Sequence, residues 1–202
     1  MPWKVYRAHQ IRKEQVDCDF EGTIVDLETI GLFTPVSSRM LEFGQDFIRK
    51  YQKIKVTTVG TLSDGVLQIA IALGLEHLDE FGKKVLSIVS RSDRPLYAFN
   101  KPFEEGCLFW ISKNVVSFEN ELQAFPRENK ERAIQQLKIP SYNDPYRGQG
   151  KKCLDAFNKG DLENIAKHNR ACLLKERDIL RIRGARTMQT KWLDIDKLGQ
   201  SS

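Results

Sequence analysis

Asp26 and Glu28 stand two residues apart in GTIVDLETIGL, residues 22–32. The run is rich in β-branched residues and predicts a buried strand over residues 22–28. Residues i and i+2 of a strand share a face, so the two carboxylates project side by side near its end. Carboxylates are seldom buried without partners, and adjacent like charges repel unless a cation lies between them. The pair is therefore either the polar end of a strand reaching water or a place where a cation is held.

A second acid, Glu104, lies in YAFNKPFEEGCL, residues 97–108. Asn100 ends a short strand there, and Phe103-Glu104 opens a helix. Negative charge at a helix N-terminus is favourable in its own right, so plain dipole compensation also explains Glu104. A third group lies in KGDLENIAKHNRACLLKERDIL, residues 159–180. Helical spacing puts Ile165, His168, Cys172, Glu176 and Ile179 on one face. A histidine in such a stripe is either a hydrogen-bonded structural residue or a base, and Asn169 beside it reads as a surface residue. His168 and Cys172, one turn apart, offer two zinc ligands but no visible second pair.

The elements that must position these groups are legible. Residues 54–73, IKVTTVGTLSDGVLQIAIAL, predict a β-hairpin turning at Asp64-Gly65. HLDEFGKKVLSIVSR predicts a helix, PLYAFN a strand, KPFEEGCLFWISK a helix with Pro in its first turn, and VVSFENEL a strand. RENKERAIQQLK predicts an exposed helix, and IPSYNDPYRGQGKK a loop. The last helix is expected from an Asp161 cap to about Arg183. The connection over residues 33–52 has no clear pattern. Three antiparallel strands followed by alternating helices and strands give an α/β fold: a mixed sheet flanked by helices, with right-handed crossovers. Ligands of such sheets favour the carboxyl ends of the parallel strands, where Asp26 and Glu28 fall.

VDLETIGL, FNKPFEEGCL and HNRACLLKE, in this order, resemble the DEDD superfamily of 3′–5′ exonucleases, which has a ribonuclease H-like fold. More narrowly the chain is similar to the ribonuclease H-like exonuclease group related to the YprB-type domain. The resemblance covers roughly residues 20–183 and divides the chain into a lead-in (1–21), an exonuclease domain (22–183) and a tail (184–202), with Trp192 and Leu193 as its expected docking residues. It implies a metal-dependent hydrolase that removes nucleotides from single-stranded DNA or RNA with two Mg²⁺ or Mn²⁺ ions. Asp26, Glu28 and Glu104 would bind metal, and His168 would activate or orient the attacking water. The family's last-helix Asp falls on Cys172, a poor ligand for Mg²⁺ but an acceptable one for Mn²⁺ or Zn²⁺. Glu176, one turn on, is the alternative ligand. Asn100, Phe103, Asn169, Tyr146, Arg147 and Lys151 are the candidate substrate contacts. The departure at Cys172 keeps open a non-catalytic nucleic-acid-binding or interaction domain on the same fold, and a structure-specific endonuclease.

Composition sets bounds around this reading. The chain has 202 residues, 41% hydrophobic and 29% charged, and suits one domain with a sizeable core. Its net charge of +5 is compatible with a polyanionic partner. Lys175, Arg177, Arg181, Arg183 and Arg186 gather toward the end of the last helix, either for such a partner or for the helix dipole. Four cysteines without C-x-x-C spacing argue against a disulfide framework and suit a reducing compartment. The absence of an apolar run of about 18 residues, and of an apolar segment in the basic leading residues, places the protein in the cytoplasm.

Overall fold

The computed structural model describes residues 2–35 and 48–187. The strands are β1 (Lys4–Val5), β2 (His9–Gln15), β3 (Thr23–Ile30), β4 (Lys55–Ser63), β5 (Val66–Ala72), β6 (Leu96–Ala98), β7 (Asn120–Glu121) and β8 (Arg186–Thr187). The helices are α1 (Leu78–Ser90), α2 (Lys101–Ser112), α3 (Lys130–Gln136), α4 (Lys152–Asn158) and α5 (Leu162–Arg183). All strands join one mixed sheet in the order β1-β2-β5-β4-β3-β6-β7-β8. β3 pairs antiparallel with β4 and β4 with β5, whereas β3 pairs parallel with β6 and β6 with β7. This is the α/β mixed sheet that the sequence predicts.

The β4–β5 hairpin turns where Asp64-Gly65 predicts it. Asp64 and Gly65 have φ of 44° and 70°, the pair of positive angles that a type I′ turn needs. Helices cover both faces. Gly60 of β4 faces Asn169 of α5, while its neighbour Thr61 lines a surface cavity with Lys84, Ser87 and Ile88 of α1. On β5 the alternation repeats: Leu67 and Ile69 line a cavity beside Ala166 and Arg170 of α5. α2 packs beside α1.

Four parts of the chain differ from expectation. The lead-in is not merely polar packing: β2 pairs with β5 along its whole length, His9↔Ala72 to Gln15↔Val66. Alternating Ile11 and charged residues put only Ile11 into the core, which masks the strand in the sequence. Residues 152–158 add the short helix α4, and Arg186–Thr187 add β8 at the far edge. The α3 segment is not an exposed helix, because Ala133 and Ile134 are buried with Phe99, Leu122, Ile139 and Ile179 in a second core. Trp192 and Leu193 lie outside the described residues.

Candidate functional site

β3 carries Asp26 and Glu28 toward α5, and both are buried, at 6% and 8% exposure. The register of β3 against β4 shifts between Glu28 and Thr29, a bulge at the end of the acidic pair. Asp26 stands opposite Gly60. A Cβ at Gly60 would lie 2.0 Å from Asn169 Oδ1, so only glycine lets α5 sit this close. The close approach brings Asn169 Nδ2 within 2.7 Å of Asp26 Oδ2, to which it donates. Asn169 is fully buried and positions Asp26 from behind.

Glu104, at the start of α2, and Glu176, on α5, face the same point. Glu176 and Asp26 act electrostatically on Glu104, and Asp26 acts on Glu176. Burial, then Glu176 and Asp26, push the Glu104 carboxyl well above the usual range. Burial raises Glu176 to about 8, against the pull of Lys130. Burial and the neighbouring Asp26 raise Glu28 to about 7. The next residue, Glu105, is turned away and accepts from the Phe118 N–H at 2.9 Å.

Lys130, the first residue of α3, is the cation these acids share. Its Nζ donates to Asp26 Oδ1 at 3.0 Å, contacts Glu176 Oε1 and lies 5.6 Å from the Phe99 ring centroid. A lysine in the first turn of a helix opposes the helix dipole, so the acids, not the helix, favour it there. Glu176 Oε1 touches the ammonium without hydrogen-bond alignment. Among the described residues Glu104 Oε2 and Glu176 Oε2 are buried with no hydrogen-bond partner. Buried carboxylate oxygens left open in this way fit a hard divalent cation, which takes oxygen ligands.

The other half of the site is built around His168. Its Nδ1 pairs with Asp144 Oδ1 at 2.7 Å, and its Nε2 faces Glu28 Oε1 at 3.5 Å and Cys172 Sγ at 3.7 Å. Asp144 accepts from Lys175 Nζ (2.7 Å) and from the N–H groups of Tyr146 (2.9 Å) and Gly148 (2.8 Å). Burial opposes charge on the imidazole, but Asp144 and the neighbouring Cys172 and Glu28 outweigh it and raise His168 to about 11. In this state His168 donates rather than accepts, which suits orienting an oxygen rather than taking its proton. Cys172 Sγ lies within 4.8 Å of carboxylate oxygens of both Asp26 and Glu28, facing the cluster as its place in the helical stripe predicts. Cys153 of α4 lies within the same distance of Glu28 and His168.

The structure thus brings Asp26, Glu28, Glu104, His168, Cys172 and the alternative ligand Glu176 together. The candidate substrate contacts divide. Asn100, Arg147 and Lys151 are exposed. A Cβ on Gly150 would stand 3.7 Å from both Glu28 Oε2 and His168 Nε2, so the chain between Arg147 and Lys151 passes directly over the site. Phe103 packs on Tyr51 and Phe33, with centroids at 5.9 and 6.4 Å. Tyr146 is buried against the His168 ring, and Asn169 lies behind Asp26.

The basic group of α5 is largely spent inside the molecule. Lys175 holds Asp144, and Arg177 donates to Tyr142, Asp178 and the Asp17 carbonyl. Arg181 binds Asp17 and Asp19, Arg183 binds Glu128, and Arg186 binds Glu121. Sequence reasoning missed Lys130, Asp144 and Cys153. The apolar Ala133-Ile134 pair was a signal that α3 packs inward, and Asn143-Asp144-Pro145 for a turn whose aspartate caps backbone N–H groups.

No family model, curated protein or solved structure matches the chain. Among the described residues no helix is long and apolar enough to cross a membrane.

Proposed function

We propose that the protein is a metal-dependent phosphodiesterase that shortens single-stranded nucleic acid from its 3′ end. The observation that carries this reading is the gathering of buried acids around Asp26: Glu28 beside it on β3, Glu104 from α2 and Glu176 from α5 all feel its charge. Buried carboxylates that repel one another take up protons or are offset by cations, and a bound divalent ion is one such cation. Asp26 and Glu28 follow directly on the parallel pairing of β3 with β6, which ends at Ile24↔Tyr97. The sheet order and the sequence motifs support the same reading. Asp26, Glu28, Glu104 and Glu176 would hold Mg²⁺ or Mn²⁺, with Glu176 in place of the carboxylate that Cys172 lacks. Such ions polarise the phosphodiester and supply hydroxide near neutral pH. Asn169 fixes the Asp26 rotamer, His168 donates toward oxygen at the site's other end, and Arg147 and Lys151 offer positive charge at its rim.

Lys130 favours a second reading. Its ammonium already bridges Asp26 and Glu176, and a lysine that neutralises the acids permanently leaves a non-catalytic domain on the same fold. The two readings separate in one assay. A 5′-labelled single-stranded DNA and an RNA are incubated with the protein in Mg²⁺ or Mn²⁺, beside Asp26→Asn and Glu104→Gln. Stepwise 3′ shortening that both substitutions abolish supports the enzyme. No shortening in either metal leaves the lysine-neutralised domain.

A further inference from the structure

The acidic site has a soft side whose two thiols the phosphodiesterase reading does not use. Carboxylates and Lys130 surround Asp26 on one flank, whereas the other gathers two thiols, an imidazole and Glu28. We propose that Glu28, Cys153, His168 and Cys172 form a zinc site that staples α4 to β3 and α5.

Four observations converge on it. The ligand atoms of Glu28, Cys153 and His168 all lie within 4.8 Å of one another. Cys172 Sγ is 3.7 Å and Glu28 Oε1 is 3.5 Å from His168 Nε2. Zinc bonds of about 2.0–2.3 Å in a tetrahedron require ligand–ligand edges of about 3.3–3.8 Å, so these two edges need almost no movement. His168 also has the outer support of a metal-binding histidine. Asp144 receives Nδ1–H, so Nε2 is the nitrogen directed inward and becomes a ligand by releasing its proton as the ion binds, and Lys175 with two backbone N–H groups fixes Asp144 in turn. The donor set decides the metal: thiolate and imidazole favour zinc over Mg²⁺ or Ca²⁺.

Burial decides the role. Cys153, His168 and Cys172 are 1%, 2% and 5% exposed, so the ion enters as the chain folds and serves as a clamp. It ties the second residue of α4 to the strand that carries the acids, and so fixes the segment passing over the site. Both cysteines are free thiols, and each loses its proton as its sulfur binds the ion.

The test is made on the full chain, purified without chelator and assayed for zinc by native mass spectrometry. About one zinc per chain is expected. X-ray absorption at the zinc edge should show sulfur scatterers at about 2.3 Å, a readout that needs no variant. Refolding in Co²⁺ should give thiolate-to-cobalt charge-transfer absorption. Cys153→Ser with Cys172→Ser should abolish that band, Asp144→Asn should weaken Co²⁺ binding about 10–100-fold, and Glu104→Gln and Glu176→Gln should preserve it. Folded protein that holds no zinc, takes up no Co²⁺ chromophore, or shows only oxygen and nitrogen around zinc overturns the proposal. Sulfur-bound zinc without nucleic-acid hydrolysis in Mg²⁺ or Mn²⁺ upholds this site and refutes the enzyme. Hydrolysis by zinc-free protein does the reverse.

Discussion

Replacing Lys130 with methionine removes the one charge that Asp26 and Glu176 share and keeps the length of the stem. At 3.0 Å from Asp26 Oδ1, an ammonium attracts a carboxylate by about 5.5 kcal/mol at an effective dielectric constant of 20. Desolvation offsets much of that gain, but the loss of one partner strands the other, which costs about 3–5 kcal/mol for a buried pair. Lys130 is 22% exposed and the glutamates can take up protons, so a loss of about 2–4 kcal/mol is expected at pH 8.5. For a chain of this size that lowers Tm by roughly 5–15 °C. At pH 5.5 the raised glutamates hold protons with or without the lysine, so the loss should shrink. Mn²⁺ at about 100 times its Kd should return about 2.7 kcal/mol, more than it gives the wild type, whose ammonium competes for the same oxygens. Urea unfolding followed by circular dichroism, at both pH values and with or without Mn²⁺, measures each quantity. A loss below about 0.5 kcal/mol that ignores both pH and Mn²⁺ would mean that the acids are not coupled through Lys130, and the reasoning fails.

Wild-type stability should also fall as pH rises. Folded Glu28 and Glu176 titrate near 7 and 8 instead of 4.5, and His168 near 11 instead of 6.5. The stability they contribute is complete below about pH 4.5 and is lost as pH climbs through those values, which a Tm series from pH 5 to 9 records. Asp144 is held below its usual range, chiefly by His168 and Lys175 against the opposing effect of burial, so its contribution is instead lost as pH drops below about 4. Gly60→Ala should cost about 1–3 kcal/mol in urea and displace Asn169 from Asp26, because the new methyl meets Asn169 Oδ1. Unchanged stability there would show that α5 can retreat. Cys172→Asp should raise Mg²⁺-dependent hydrolysis over the wild type, with Asp26→Ala as the blank. Equal rates above the blank would leave Glu176 as the working ligand. Any binding of single-stranded nucleic acid should weaken as salt rises, since phosphate contacts release counterions, and flat affinity argues against such a partner.

The hairpin, α1, α2 and α5 were legible because turn residues mark the hairpin, helical spacing marks α1, an early proline marks α2 and the Asp161 cap marks α5. The i, i+2 and i, i+4 spacings likewise placed Asp26, Glu28, His168 and Cys172 on their faces. Lys130 and Asp144 were not legible, since each acts across a distance in sequence that no local pattern encodes: 104 residues to Asp26 and 24 to His168. A lysine in a charged helix and an aspartate in a turn look the same whether or not acids or an imidazole wait opposite. β2 was hidden for another reason. A strand that buries only Ile11 and otherwise shows polar and charged residues has lost the alternation by which strands are read.

That strand has a consequence for how the chain can be divided. β5, reading VLQIAIA, has no charged residue, no proline and high β-propensity. β2 occupies its outer edge along seven residue pairs, and Arg170 of α5 binds Glu14 to hold it there. A fragment cut at residue 22, where the acidic motif begins, would expose an uncharged row of N–H and C=O groups ready to accept a strand from another molecule. Such a fragment should self-associate into β-rich aggregates even with every acidic residue in place. The lead-in therefore works as a guard strand: its Arg12, Lys13 and Glu14 keep the sheet from growing beyond its own chain.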